Sequence, residues 1–164
     1  MARSLQSLFS SGFWKVGRLA GAPVRVHWTT PIGLFILTRF SLNPLVWAAL
    51  VAVVLVHEVG HAVLARRYRM RVVSLDLTGF GGVCRLEGNP SRREAAIVAW
   101  GGILAQMALL VAALIVKSIL HVVAFGVLDG VFDTLITTNL IVAALNLLPI
   151  PPLDGVEAWR LFTR

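Results

Sequence analysis

The chain has 164 residues, enough for one domain, and 57% of them are hydrophobic whereas only 14% are charged. Soluble domains carry about 25% charged residues, so this composition, with a mean hydropathy of +0.82, predicts a membrane-embedded protein and excludes a soluble one. The net charge of +7 does not indicate a nucleic-acid partner, because the basic residues cluster in short segments between apolar runs, as topology signals do.

The first 27 residues are expected to form a cytoplasmic or interfacial segment, ahead of a membrane-embedded core at residues 28–164. The start of the chain has no continuous apolar stretch and no cleavage signal, so we predict no signal peptide. Aromatic and aliphatic residues from Phe9 to Leu19 stand beside Lys15 and Arg18, which fits a segment lying on the membrane surface. A poorly ordered tail is the alternative.

Four apolar segments are candidate transmembrane helices, each of which needs about 20 apolar residues. They are residues 29–40, which is short, 45–64, about 95–116 and about 131–148. With four spans, 13 of the 15 Lys and Arg residues lie on one side, and only Arg39 and Lys117 lie on the other. The positive-inside rule therefore predicts a multi-pass protein of the inner (plasma) membrane with both termini in the cytoplasm.

A small β-hairpin is predicted between the second and third spans, giving a mainly α-helical polytopic fold. Residues 73–78 alternate between apolar and polar side chains, which is the period of a strand. Glycines at 79, 81 and 82 then lead into a second short strand at 83–87. Ser91 to Glu94 (SRRE) matches a capping box that opens the third helix.

The second span contains the motif HEVGH, in which His57 and His61 stand four residues apart. On an α-helix this spacing places both imidazoles on one face, where they can bind one zinc ion. Glu58 can then address a water molecule as a general base. A hydrogen-bonded histidine pair inside a bundle is the alternative, but it does not explain Glu58. The motif precedes Arg66 and Arg67, so we expect the site near the cytoplasmic leaflet.

A catalytic zinc site needs a third protein ligand, and three residues are candidates. His121 lies in an outer loop, on the wrong side, and His27 beside Trp28 fits an interfacial anchor better. Asp154 directly follows a proline-broken helix end, on the same side as the histidine pair. An ordinary helix N-cap is the alternative role for this aspartate. Cys84, the single cysteine, is expected to be a small apolar filler.

Together these residues resemble the site-2 protease family of intramembrane zinc metalloproteases. HEVGH (57–61) is similar to the family's HExxH, and LLPIPPLDG (147–155) to its second motif, which ends in LDG. GAPVRVHWTTP (21–31) is similar to the family's lead-in. GFGGVCRLEG (79–88) resembles its β-hairpin, and AWGGILAQ (99–106) resembles its small-residue motif. The resemblance covers about residues 14–160, nearly the whole chain.

The resemblance implies a function and a set of site residues. Its zinc ligands, for one Zn²⁺ per chain, would be His57, His61 and Asp154, and its catalytic base would be Glu58. The chain would be an endopeptidase that cleaves transmembrane segments of membrane-anchored regulators, in regulated intramembrane proteolysis. Its partners would be a transmembrane protein substrate and the bilayer. A non-proteolytic membrane metal-binding or transport protein is the alternative, and it would leave Glu58 dispensable.

Further residues are expected to contact substrate. Gln106 stands where the family usually has asparagine, and Asn146 would stabilise an oxyanion or, alternatively, cap a helix. The edge formed by Val83, Cys84 and Arg85 would pair with an unwound substrate, unless the hairpin is only a lid or scaffold. Many bacterial relatives with this lead-in carry a cytoplasmic regulatory domain after the core, and we expect none within these 164 residues.

Overall fold

The computed structural model describes residues 12–38, 40–121 and 127–163, without the side chains of 120, 121 and 127–130. Its elements, in chain order, are β1 (Phe13–Leu19), β2 (Ala22–His27), α1 (Thr30–Leu37), α2 (Pro44–Arg67), β3 (Arg71–Thr78), β4 (Gly81–Glu87), α3 (Arg92–His121), α4 (Val127–Asn146) and α5 (Gly155–Ala158), followed by a 3₁₀ turn (Trp159–Leu161). The fold is mainly helical with one small sheet, as predicted. Phe9, Arg39 and the His121 side chain lie outside the described residues.

Two of the described helices are long and apolar enough to cross a membrane, Pro44–Arg67 and Arg92–Ile119. A shorter apolar helix covers Val131–Asn146. The first of the four expected spans corresponds to α1, which has eight residues and rises only about 12 Å. Helices of crossing length therefore account for two of the four predicted spans.

Helix α2 carries the histidine motif, and its sequence defines both of its ends. The Asn43 side chain accepts a hydrogen bond from the Leu45 backbone N–H at 2.9 Å, and Pro44 occupies the first turn. Arg66 and Arg67 lie in the last turn, where positive charge favours the helix C-terminus. Gly60 packs on Gly101 of α3 so closely that a Cβ at either position would overlap the other backbone. This close approach brings α3 against the motif.

The four strands form one sheet in the order β1-β2-β3-β4. Strands β3 and β4 are the two strands predicted after the second span, and they pair in antiparallel register. Strands β1 and β2 differ from the prediction, which treats residues 1–27 as a surface segment or a tail. They form an antiparallel pair instead, and β2 runs parallel to β3. A domain boundary at residue 27 stays a prediction.

The sheet is held together by a buried carboxylate. Asp76 on β3 is 1% exposed and accepts hydrogen bonds from Arg25 Nε at 2.7 Å and Arg85 Nε at 2.6 Å. Burial raises the pKa of Asp76, but hydrogen bonds from Arg25, Arg85 and Ser74 outweigh this effect and keep it below its ordinary value. Strands β2, β3 and β4 are therefore tied by one ionic cluster.

The predicted capping box at the start of α3 is confirmed. The Glu94 carboxylate accepts hydrogen bonds from the Ser91 backbone N–H at 2.7 Å and from the Ser91 hydroxyl at 2.8 Å. These bonds fix the turn that connects the sheet to α3, the helix that packs behind the histidine motif.

Candidate functional site

Three side chains from two distant parts of the chain meet at one point. Asp154 Oδ2 lies 2.7 Å from His57 Nε2 and 3.1 Å from His61 Nε2, and the two Nε2 atoms are 2.9 Å apart. Both histidines are buried, and one potential ligand atom from each of the three residues lies within 4.8 Å of the others. Two imidazole nitrogens and one carboxylate oxygen form a donor set that suits zinc.

The other nitrogen of each histidine ring contacts an acceptor. His61 Nδ1 lies 2.8 Å from the Val98 carbonyl oxygen, and His57 Nδ1 lies 3.0 Å from Gln106 Oε1. Hydrogen bonds to these oxygens require the tautomer in which each Nδ1 carries the ring proton. Each Nε2 then presents a lone pair to the point where Asp154 also lies, which is the tautomer that a metal-binding histidine needs.

Helix α3 supports the two rings from behind through a residue with no side chain. A Cβ on Gly102 would lie 2.5 Å from both His57 Cε1 and His61 Nε2. Only glycine lets the α3 backbone come this close. The rings are therefore confined between α3 on one side and Asp154 on the other.

Glu58 is 4% exposed and lies under strand β4. The backbone of Gly82 packs directly on it, so that a Cβ there would lie 2.8 Å from Glu58 Cδ. The carboxyl group also interacts with the backbone of Cys84. The predicted hairpin thus covers the acid that stands between the two histidines in sequence.

Asp154 reaches the histidines because the chain breaks after α4 and is then held against α3. It occupies the N-cap position of α5 but makes no side-chain cap hydrogen bond, so the ordinary capping alternative does not account for it. Trp159 Nε1 donates to the Leu147 carbonyl at 2.6 Å, and Trp100 Nε1 donates to the Ala158 carbonyl at 3.0 Å. These bonds fasten the segment on both sides of the aspartate.

The residues predicted to contact substrate do not all lie where a substrate could reach them. Asn146 Nδ2 lies 3.3 Å from His57 Nε2, directly at the cluster. Gln106, in contrast, is completely buried behind His57, so its position favours orienting that ring rather than contacting substrate. Val83 and Arg85 are exposed on β4, an edge strand of the sheet.

His27 and Cys84 lie outside the cluster of His57, His61 and Asp154. Burial raises the pKa of the Cys84 thiol to about 12, as suits an apolar filler. His27 Nδ1 lies 2.7 Å from Thr29 Oγ1, and its ring packs on Phe13 and Trp28. This environment fits the anchoring role expected for His27.

Several supporting groups carried no recognisable signal in the sequence. The carbonyl that holds His61 belongs to the backbone of Val98, and any residue type could supply it. Asn139 on α4 donates to the Gln106 carbonyl at 2.7 Å, although it stands in a run with no motif. The glycines at 82 and 102 were visible, but only the packing of β4 and α3 reveals what they contact.

Comparison with known proteins relates this arrangement to one family. Residues 45–125 match the model of peptidase family M50. The chain is 33% identical to Rip3 of Mycobacterium tuberculosis over 168 residues and 29% identical to a zinc metalloprotease of Methanocaldococcus jannaschii over 150 residues. These alignments cover 90% and 87% of the chain, but only 42% and 43% of the relatives. The chain thus spans about two fifths of their length.

A sporulation protein and a solved structure are also similar. Stage IV sporulation protein FB of Bacillus subtilis is 36% identical over 110 residues, which are 65% of this chain and 36% of that protein. The structure of a site-2 protease from Methanocaldococcus jannaschii superposes with a TM-score of 0.71 at 22% identity, covering 92% of this chain and 71% of that one. The fold is therefore that of a site-2 protease.

Proposed function

Because the chain belongs to the site-2 protease family, peptidase family M50, we propose that it is a zinc-dependent intramembrane endopeptidase. The observation that carries the proposal is the meeting of His57, His61 and Asp154, with the buried Glu58 one residue from the first ligand. Its substrates would be membrane-anchored regulatory proteins, cleaved within or beside their transmembrane segments.

His57, His61 and Asp154 would hold one zinc ion per chain. The Nδ1 contacts with Gln106 and the Val98 carbonyl support this assignment, because they leave both Nε2 atoms unprotonated. When bound, zinc supplies Lewis acidity, which polarises a peptide carbonyl and lowers the pKa of water to about 7. The chain's own side chains would carry out the proton transfers and bind the substrate.

Glu58 would act as the general base and then as the general acid. Its carboxylate would accept a proton from the attacking water and deliver that proton to the leaving amine nitrogen. Its burial under Gly82 supports this role, since bulk water cannot compete for the carboxylate there. Asn146 Nδ2 would donate a hydrogen bond to the carbonyl oxygen as negative charge develops on it.

The β4 edge would bind the substrate in an extended form. An α-helix hides its carbonyls in internal hydrogen bonds, so the scissile region must unwind before water can attack it. Strand β4 is an edge strand that carries exposed Val83 and Arg85 and packs on the general base. Strand addition there would bring an unwound segment beside Glu58.

We also propose a topology with both termini in the cytoplasm and the site near the cytoplasmic leaflet. In α2, 13 residues precede His57, about 20 Å of helix, and the basic end at Arg66 and Arg67 follows closely. Helices α2, α3 and α4 would cross the bilayer. The short α1 and the exposed apolar residues Phe40 and Leu42 would supply the first, shortened crossing.

The test compares the membrane proteomes of cells that express the wild type or Glu58→Gln. A membrane-bound fragment should accumulate only in the variant, because zinc binding persists while proton transfer stops. Glu157→Gln, which changes an acid whose carboxylate pairs with Arg160, is the matched control and should leave the wild-type pattern unchanged. Cleavage by Glu58→Gln at the wild-type rate would contradict the proposal.

A further inference from the structure

An apolar groove of about 600 Å³ runs along α2 and α3, on a different face of α2 from the two histidines. Helix α2 lines it with positions 52, 55, 56, 59, 60, 63 and 64, and α3 lines it with Gly101, Leu104 and Ala105. Leu19 of β1 closes one end. Every lining residue is apolar. Val63 and Leu104 are 55% and 57% exposed, so the groove is open along the surface of the two helices.

The groove points at a cluster of positive charge. On α2, Arg66 and Arg67 follow Val63 by three and four residues, so they continue the groove face of the helix. The guanidinium of Arg66 lies against Gly21 in the β1–β2 turn, two residues after Leu19. Arg18 donates a hydrogen bond to the Gly21 carbonyl from the other side. Neither Arg66 nor Arg67 has an acidic partner among the described residues.

We propose that this groove binds an anionic phospholipid, with an acyl chain between α2 and α3 and its phosphate on Arg66 and Arg67. An apolar channel that ends in unpaired basic side chains at the cytoplasmic interface matches the two halves of such a lipid. The site goes beyond the proposed function. It requires that α2 and α3 lie in the bilayer, but it does not require proteolysis.

The charge also argues against the other occupants of a membrane groove. A transmembrane helix of another protein carries its own Lys and Arg residues at the cytoplasmic end, because of the positive-inside rule. A second parallel copy of this chain would bring another Arg66 and Arg67 to the same place. Either of these occupants would place positive charges beside Arg66 and Arg67 and be repelled, whereas a lipid phosphate is attracted to the two arginines.

The test measures lipid retention by native mass spectrometry. The full chain is reconstituted in phosphatidylcholine vesicles that contain about 20 mol% phosphatidylglycerol as the anionic lipid. The wild type should retain phosphatidylglycerol above its share of the mixture. Each arginine contributes about fivefold, so the double variant R66Q/R67Q should lose more than tenfold. The control R92Q, which removes an exposed arginine on α3 outside the groove, should retain the lipid.

A second pair of variants separates filling of the groove from loss of charge. Val63→Trp fills the groove and should abolish lipid retention, whereas Val111→Trp, at an equally exposed valine outside it, should not. In the wild type, raising the salt concentration should remove the preference for phosphatidylglycerol, which tests the charge without any variant.

Three results would overturn the proposal: equal retention of both lipids by the wild type, unchanged retention by R66Q/R67Q, or a dimer of the wild type that Val63→Trp disrupts. Lipid retention is measured without any substrate. A failed lipid test would therefore leave the protease proposal standing, and the reverse also holds.

Discussion

The backbone of Gly82 on β4 packs directly against the carboxyl group of Glu58 on α2. No side chain fits between them, so the position of the strand and the position of the proposed base depend on each other. The hairpin is therefore part of the site, and position 82 tolerates no side chain as long as Glu58 keeps its place.

Gly82→Ala should abolish or strongly reduce peptide cleavage while leaving bound zinc unchanged, because the added methyl displaces either β4 or Glu58 without touching the three ligands. Cleavage of a membrane substrate and zinc content, measured on the same preparation, check this. The matched control is Gly17→Ala on β1, where a Cβ would meet nothing within 4 Å. Wild-type cleavage by Gly82→Ala would show that β4 does not constrain the base.

Gly102→Ala should weaken zinc binding, since its methyl would lie 2.5 Å from both imidazole rings and must push them apart. We expect a loss of about 10–100-fold in zinc affinity, the range seen when groups that orient ligands are disturbed. Titration against a competing chelator measures it. An affinity equal to that of the wild type would mean that α3 does not confine the rings.

Gln106→Leu should also weaken zinc binding, by about 10–100-fold, because His57 loses the acceptor that fixes its ring proton on Nδ1. If Gln106 instead contacted substrate, the same variant would raise KM and keep the zinc affinity of the wild type. A zinc titration and a KM measurement on one variant therefore distinguish orientation of the ligand from substrate contact.

Asp76→Ala should destabilise the sheet. Breaking a buried ion pair costs about 3–5 kcal/mol, and we expect about 1–3 kcal/mol here because Arg25 and Arg85 are partly exposed and can be solvated when unpaired. Thermal unfolding in detergent measures the loss. Arg71→Ala, which breaks an exposed pair with Glu87, is the control and should change stability by less than about 1 kcal/mol.

The Asp76 carboxylate makes the stability of the folded protein depend on pH. The pKa of Asp76 is lower in the folded protein than its ordinary value of 3.8, so the folded state favours the ionised form. Its stabilisation is fully present above the ordinary value and is lost as the pH falls through the lower, folded value. The difference in stability between wild type and Asp76→Ala should therefore shrink below about pH 4. A difference that stays constant down to pH 2 would contradict this.

The sequence predicted the parts of the site that depend on spacing along one helix or on a break in one. The four-residue spacing from His57 to His61 places both rings on one face, and the prolines before Asp154 mark a backbone that cannot continue as a helix. The capping box at Ser91 was equally local. Each of these signals depends on neighbours in the chain.

What the sequence could not reveal depends on contacts between distant segments. Strand β2 is tied to β3 by the hydrogen bond from Arg25 to Asp76, and these two residues lie 51 positions apart in the chain. The burial of Gln106 behind His57 depends on how closely α2 approaches α3 at Gly60 and Gly101. The length of α1 was overestimated because apolar residues continue past its end, into the turn before Asn43.

The most direct measurement is the zinc content of the purified Asp154→Asn variant, beside wild type and Glu157→Gln. Glu157 is a neighbouring acid whose carboxylate pairs with Arg160. Wild type and Glu157→Gln should each carry one zinc ion per chain, and Asp154→Asn should carry far less. Equal zinc in all three would contradict the claim that residues from two separate helical segments converge on one metal.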